Sequence, residues 1–158
     1  MTEEAKMKTI MDRIEKQISL SAPRSRVWRA LSDSKEFGEW FGVQLQGGFA
    51  PGARVRGRIT HPGFEHLPFE MTIERMEPER LLSWRWHPYA IEAGVDYSKE
   101  PETVVEFELT ETAKGTMVTV VESGFDRIPA IRRAKAFEMN DQGWAEQMKR
   151  IERHVAKA

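Results

Sequence analysis

The hydrophobic pattern is clearest near the end of the chain, at residues 130–155. At about 100° per residue, a group of side chains falls within roughly 40° of one direction, namely Phe137, Asn140, Trp144, Met148, Ile151 and Val155. The neighbouring Lys149, Arg150 and Arg153 point elsewhere. The pattern predicts an amphipathic helix of roughly 40 Å, which needs a long apolar surface to cover it.

Earlier segments alternate between apolar and polar residues and therefore predict strands. The first is Arg13–Leu20, and the others begin near Val43 and cover 54–61, 69–74, 82–86, 103–110 and 116–123. Turn signals such as Pro51-Gly52, Pro62-Gly63 and Lys114-Gly115 separate them. Because the later connections are mostly short, we expect an antiparallel sheet.

Two short helices are predicted between the first and second strands. Pro23 suits the first turn of one helix, whose apolar positions are Val27, Trp28 and Leu31. Asp33 followed by Glu36 resembles a capping box that opens the other, whose apolar side carries Phe37, Trp40 and Phe41. One sheet with helices on one side predicts an α+β domain.

Composition limits the classes of protein that fit. With 158 residues, 40% of them hydrophobic, the chain suits one domain at 13–158 after an N-terminal extension at 1–12. A net charge of -1 does not favour a nucleic-acid partner. The absence of cysteine fits a reducing cytoplasm, and no apolar stretch is long enough to predict a signal peptide or membrane insertion.

Several motifs resemble one known family. They are IEKQISLSAPRSRVWRAL near the start, EWF at 39–41, VVESGF at 120–125 and MNDQGWAEQMKRI at 139–151. They are similar to bacterial homologues of the heat-shock-protein ATPase activator, in the START-like or polyketide cyclase-like superfamily. The resemblance implies a helix-grip fold, in which a curved seven-stranded antiparallel sheet surrounds the C-terminal helix and encloses an elongated apolar cavity.

The resemblance also bears on partners. Eukaryotic activators carry an additional N-terminal chaperone-binding domain, and a chain filled by one fold does not accommodate it, which argues against a chaperone partner. A homodimer is reasonable for this family. The expected function is binding of a small hydrophobic or amphipathic molecule in the cavity. The alternatives are a cyclase- or hydrolase-type enzyme using the same cavity, and a module that interacts with a chaperone ATPase.

The aromatic side chains predicted to face the helix form either plain core or the wall of a pocket. So many indoles are difficult to pack without gaps, and each buried indole N–H needs a partner, so the set favours a pocket with a few polar groups. The predicted ligand-binding residues are Trp28, Trp40, Phe41, Phe69, Met71, Trp84, Trp86, Phe107, Glu122, Asn140, Trp144 and Met148.

Three polar residues, His61, Glu122 and Asn140, fall on faces predicted to point inward. They could supply acid–base chemistry or orient a ligand carbonyl. If instead they are exposed at the rim or form only structural hydrogen bonds, they have no role in binding or catalysis. A binding protein is favoured over an enzyme, with Glu122 and His61 as weak catalytic candidates. Glu122 follows Val118 and Val120 at period two, which predicts an inward, hydrogen-bonded carboxylate.

Other patterns have simpler interpretations. The four histidines lack the spacing of a metal site, and no phosphate-binding or nucleophile-elbow motif occurs, so no metal and no cofactor are predicted. The alternating Arg54, Arg56 and Arg58 favour cross-strand ion pairs with Glu70 and Glu74 over a phosphate-binding stripe. The segment 88–101 is long for a hairpin loop and could act as a lid.

Overall fold

The computed structural model describes residues 12–92 and 94–157. The strands are β1 (Arg13–Leu20), β2 (Val43–Gln46), β3 (Arg54–Ile59), β4 (Pro68–Glu77), β5 (Leu81–Trp86), β6 (Thr103–Thr112) and β7 (Gly115–Ser123). The helices are α1 (Arg24–Ser32), α2 (Ser34–Phe41) and α3 (Ala130–Ala156), with a 3-10 turn at Phe125–Arg127. The extension predicted at 1–12 lies, apart from Asp12, outside the described residues.

The strands form one antiparallel sheet in the order β1-β7-β6-β5-β4-β3-β2. The predicted α+β class and seven-stranded sheet are therefore confirmed, as is the long final helix. β1 pairs with β7 because the chain crosses from β1 through α1 and α2 to β2 at the opposite edge, and then returns strand by strand. This connection places both short helices on the side of the sheet that α3 also covers.

The apolar stripe of α3 faces inward as predicted. Trp144, Met148, Ile151 and Val155 are buried, and α3 contacts β1 and both short helices. Near the start of the helix, Phe137 packs edge-on against Phe125, with ring centroids 5.2 Å apart. Burial of this stripe is the main apolar contribution that α3 makes to the fold.

Local hydrogen bonds explain where the short helices begin and end. The Asp33 side chain accepts from the Glu36 backbone N–H at 2.9 Å, which confirms Asp33 as the N-cap of α2. The other half of the predicted capping box does not form, because the Asp33 N–H donates to the Arg29 carbonyl. α2 ends at Gly42, whose φ of +92° is readily adopted only without a side chain. The Trp40 indole N–H donates to the Ala30 carbonyl at 2.8 Å and joins the two helices.

An ionic cluster on Glu36 holds the three helices together. Glu36 accepts hydrogen bonds from Arg26 at 2.9 Å and Arg29 at 2.7 Å, and its carboxylate lies 2.9 Å from His154 Nε2 of α3. Burial acts to raise the pKa of Glu36, but the hydrogen bonds from His154 and the two arginines outweigh it and lower that pKa.

Two predictions about the sheet were wrong in detail. β3 ends at Ile59 instead of reaching His61, because the His61 carbonyl accepts from Phe64 N–H at 3.0 Å and so belongs to the following turn. Cross-strand pairing with Arg54 and Arg56 is confirmed for Glu70. Glu74, however, pairs with Arg85 of β5 at 2.5 Å, because β4 extends beyond Arg54, the first residue of β3, and shifts register against β5 between Ile73 and Arg75.

Candidate functional site

A cavity of about 750 Å³ opens between the β3–β4 end of the sheet, the loop after β5 and the middle of α3. Its apolar wall includes Phe41, Ile59, Leu67, Phe69, Met71 and Trp86. The volume lies in the range of small-molecule sites, which are mostly apolar with a few placed polar groups.

The predicted ligand-binding residues divide into two groups. Phe41, Phe69, Met71, Trp86 and Asn140 line the cavity. The residues outside the wall are Trp40, Trp84, Phe107, Glu122, Trp144 and Met148, which are buried in the interior, and Trp28, which is half-buried against the core.

His61 was predicted to face the interior, and this prediction was wrong. It is exposed at the mouth of the cavity, where its ring lies 5.6 Å from that of Phe64. The strand alternation that pointed it inward ends at Ile59, so its direction is set by the turn instead.

Glu122 of β7 is 0% exposed and is the polar centre of this region. Its Oε2 accepts from Trp86 Nε1 at 2.8 Å and from Thr103 Oγ1 at 2.6 Å. Its Oε1 accepts from Trp144 Nε1 at 2.8 Å. Asn140 Nδ2 donates to both oxygens, at 2.9 Å and 3.2 Å. The predicted inward, hydrogen-bonded carboxylate is confirmed.

The donors around Glu122 show what this carboxylate does. All are uncharged N–H or O–H groups, and a carboxylate oxygen accepts hydrogen bonds from such donors. Burial of such a group is costly unless hydrogen bonds compensate, and here β5, β6 and α3 each supply donors. Glu122 lies behind the cavity wall, while its donors Trp86 and Asn140 form part of that wall. The carboxylate therefore positions wall residues and joins three strands to α3.

The loop after β5 covers one side of the cavity, and several of its residues, including Tyr89 and Tyr97, line it. Both ends of this loop meet Arg132 of α3. Its guanidinium lies 2.7 Å from Glu100, donates to the Pro88 carbonyl at 2.8 Å and lies 4.8 Å from the centre of the Tyr97 ring.

Sequence reasoning did not single out Arg132. A signal for it existed, because a cation in the first turn of a helix is opposed by the helix dipole. Such a residue needs partners elsewhere, and the 88–101 loop supplies them.

Two more polar residues of α3, Gln147 and Arg150, line the cavity without having been predicted to do so. Gln147 Nε2 donates to the Phe41 carbonyl at 2.9 Å. Arg150 approaches Gly42 so closely that a Cβ there would lie 3.0 Å from its Nη1 atom. Together with Asn140 and Gly143 they follow one face of the helix over roughly 15 Å, next to the buried stripe.

Residues 12–92 and 94–157 are the part of the chain that the structure describes. There, no group of three or more His, Asp or Glu side chains is arranged to hold a metal ion. Within the same residues, no helix is long and apolar enough to cross a membrane.

Comparison with known proteins identifies relatives. The family model described as "Activator of Hsp90 ATPase homolog 1-like protein" matches residues 21–156. The fold is similar to protein MLL2253 from Mesorhizobium loti, with TM-score 0.73, 23% identity, and coverage of 92% of this chain and 98% of that one. A protein from Arthrobacter aurescens is 16% identical with TM-score 0.76, covering 94% and 88% of the two chains. At these identities the likeness concerns the fold alone.

DynU16, a protein in the dynemicin biosynthetic locus, is 28% identical with TM-score 0.70. The match covers 92% of this chain and 47% of DynU16, so this chain spans about half of that protein. Among curated proteins, none matches.

Proposed function

This chain belongs to the activator of Hsp90 ATPase homolog 1-like family, and from that premise we propose that it binds a small hydrophobic or amphipathic molecule. The binding site is the cavity between the sheet and α3. The observation that carries the proposal is the composition of the wall, in which an apolar patch that includes Phe41, Phe69, Met71 and Trp86 lies beside polar and charged side chains of α3 and of the loop after β5.

The polar groups favour an amphipathic ligand over a purely apolar one. Asn140 and Arg150 are both half-buried and lie on the α3 wall of the cavity. In the described residues, Arg150 has no carboxylate within 4.0 Å, whereas the lining residue Arg54 pairs with Glu70. DynU16 lends further support, because its place in a biosynthetic locus is consistent with small-molecule binding by a relative of this chain.

An enzyme using Glu122 as an acid or base is a weaker candidate. A proton-transfer group must reach the substrate directly or through one water. Glu122 has no exposed surface, and the side chains of Trp86 and Asn140 stand between it and the cavity. Loss of turnover in Glu122 variants, in a protein that still binds its ligand, would reverse this order of preference.

Two measurements test the proposal. Native mass spectrometry of freshly purified protein should show a retained small molecule, and the dye 1-anilinonaphthalene-8-sulfonate should bind with one-to-one stoichiometry. Gly143 lines the cavity, and a Cβ there would meet nothing within 4 Å, so Gly143→Leu should place a side chain in the open space and abolish dye binding.

The matched control is Ala145→Leu, an exposed position on the same helix outside the cavity wall. It should bind the dye as the wild type does. Equal dye binding by the wild type and Gly143→Leu would show that the cavity is not the binding site.

A further inference from the structure

The orientation of the Asn140 side chain is determined by Glu122. Only the amide nitrogen can donate to a carboxylate, and Asn140 Nδ2 lies 2.9 Å and 3.2 Å from the two Glu122 oxygens. Turning the amide over would set its oxygen against the carboxylate oxygens, and two acceptors repel. Because Glu122 is also held by Trp86 and Trp144 at 2.8 Å each, it cannot turn away to relieve that repulsion.

The amide oxygen of Asn140 consequently points away from Glu122. Among the described residues, no donor forms a hydrogen bond with this Oδ1 atom. The atom is also absent from the set of fully buried polar atoms that lack a partner, so part of its surface is accessible. Since Asn140 lines the cavity, its carbonyl oxygen is a fixed acceptor in the cavity wall.

We infer that this oxygen selects the ligand: the bound molecule carries a hydroxyl or N–H group that donates to Asn140 Oδ1. The inference rests on the proposed function and adds the chemistry of the ligand. It reverses the role that the sequence suggested for Asn140, because orienting a ligand carbonyl would require the N–H donor that Glu122 already holds. Glu122 acts as a positioning residue, through Asn140.

The energetic reason is the cost of an unpaired polar group. A ligand without a donor covers the Asn140 carbonyl oxygen and displaces the water that was hydrogen-bonded to it, so the oxygen is left without a partner. A ligand with a donor replaces that lost hydrogen bond. A site built around a hydrogen bond therefore rejects analogues that lack it.

The test compares two ligands that differ at one group, 4-phenylphenol and its methyl ether 4-methoxybiphenyl, by isothermal titration calorimetry. The phenol should bind the wild type about threefold to tenfold more tightly than the ether. Asn140→Leu should bring the ratio of the two dissociation constants close to one. Gln142→Leu removes an exposed amide two residues away on the same helix and should retain the wild-type ratio.

Glu122→Gln distinguishes the positioning role from a purely structural one. In this variant one of the two oxygens that Asn140 Nδ2 contacts becomes an N–H2 donor, so the asparagine amide is no longer held in one orientation and presents N–H as well as Oδ1 to the cavity. The preference for the phenol should then shrink. A loss of stability alone would weaken both ligands and leave their ratio unchanged, and that result would overturn the positioning role.

The outcomes separate this inference from the proposal beneath it. Equal affinity of the wild type for phenol and ether would overturn the role of Asn140 while the cavity remained the binding site. Binding of neither molecule, together with failure of the dye to bind, would overturn the proposed function and the inference with it. A preference for the phenol that persists in Asn140→Leu would assign the hydrogen bond to another residue and reject Asn140.

Discussion

Trp84 and Trp86 lie two residues apart on the same face of β5, yet their surroundings differ. Trp84 is 0% exposed, stacks on Phe107 with centroids 5.5 Å apart and meets the edge of Phe37 at 5.7 Å. Trp86 is half-buried and forms part of the cavity wall. The Trp86 N–H donates to Glu122, whereas the Trp84 N–H has no hydrogen-bond partner in the described part of the chain.

The difference shows that the element covering a strand determines whether an inward-facing residue becomes part of the core or part of the cavity wall. Phe37 of α2 closes the space over Trp84, and aromatic rings fill it from both sides. β5 ends at Trp86, and beyond that point the sheet is covered by the 88–101 loop, which packs around the cavity and does not fill it. The same residue type at the same period is therefore packed core at one position and cavity wall at the next.

The largest expected effect on stability comes from creating a cavity at the packed end of β5, the region around Trp84. Trp144 is 3% exposed, lies 5.6 Å from Phe107 and also donates to Glu122. Trp144→Ala should therefore lower the free energy of unfolding by ~3–5 kcal/mol, measured by reversible denaturant titration. The half-buried Trp28 gives a comparison, since Trp28→Ala should cost less. A loss below about 1 kcal/mol for Trp144→Ala, close to the range of ordinary surface changes, would contradict the burial of Trp144 in the packed core.

The next effect concerns the Glu122 carboxylate, which accepts hydrogen bonds from Trp144 in the core and from Trp86 in the cavity wall. In Glu122→Gln, the amide N–H2 faces groups that are themselves donors, and at least one buried donor loses its acceptor. The free energy of unfolding should fall by about 2–3 kcal/mol, as measured by thermal denaturation followed by circular dichroism. Glu106→Gln, on the neighbouring strand and not fully buried, should change it by less than about 0.5 kcal/mol. Equal stability of both variants would contradict the role of Glu122.

A third prediction concerns the end of β5 next to Trp86, where the 88–101 loop covers the cavity. If the 88–101 loop is a lid, removing its attachment in Arg132→Ala should accelerate release of the bound dye about fivefold to tenfold, which corresponds to about 1 kcal/mol of lost contact energy. Stopped-flow dilution measures this rate. Arg133→Ala removes the neighbouring arginine, which donates to the Ile128 carbonyl and not to the loop, and should leave the rate unchanged. An unchanged rate in Arg132→Ala would show that the loop is not a lid.

A fourth, pH-dependent effect of similar size is expected at the helix cluster behind the packed end. The pKa of Glu36 is lowered in the folded protein from its ordinary 4.5. Its contribution, about 1 kcal/mol, is therefore present above that value and lost as the pH falls through the folded pKa. The melting temperature of the wild type should drop more between about pH 6 and pH 3 than that of Glu36→Gln. Parallel pH profiles would show that Glu36 adds no such dependence.

The smallest effect is stabilising and lies on the cavity wall. Gly143 is inside α3, and its Cβ position is open, so Gly143→Ala should raise the free energy of unfolding by ~0.5–1 kcal/mol. A denaturant titration measures the change. A loss of stability would mean that the position is not open in solution, and would weaken the distinction between the two ends of β5.

Local patterns predicted much of the fold. The final helix was predicted at 130–155 and spans Ala130–Ala156, the cap at Asp33 is present, and Glu122 points inward. Each of these depends on residues two to four positions apart, whose relative direction is determined by backbone geometry. The prediction for His61 failed where a turn interrupted that geometry, and the partner of Glu74 was set by pairing with another strand.

The sequence by itself determined the order of elements, their buried faces and the family resemblance, because periodicity and turn residues act over short stretches of chain. Only the tertiary structure decided which inward side chains line the cavity, which loop Arg132 contacts and which way the Asn140 amide faces. These features depend on contacts between distant residues, such as Glu122 with Asn140 and Arg132 with Pro88. No local pattern encodes such pairs, because their distances are set only when the sheet and the helix pack together.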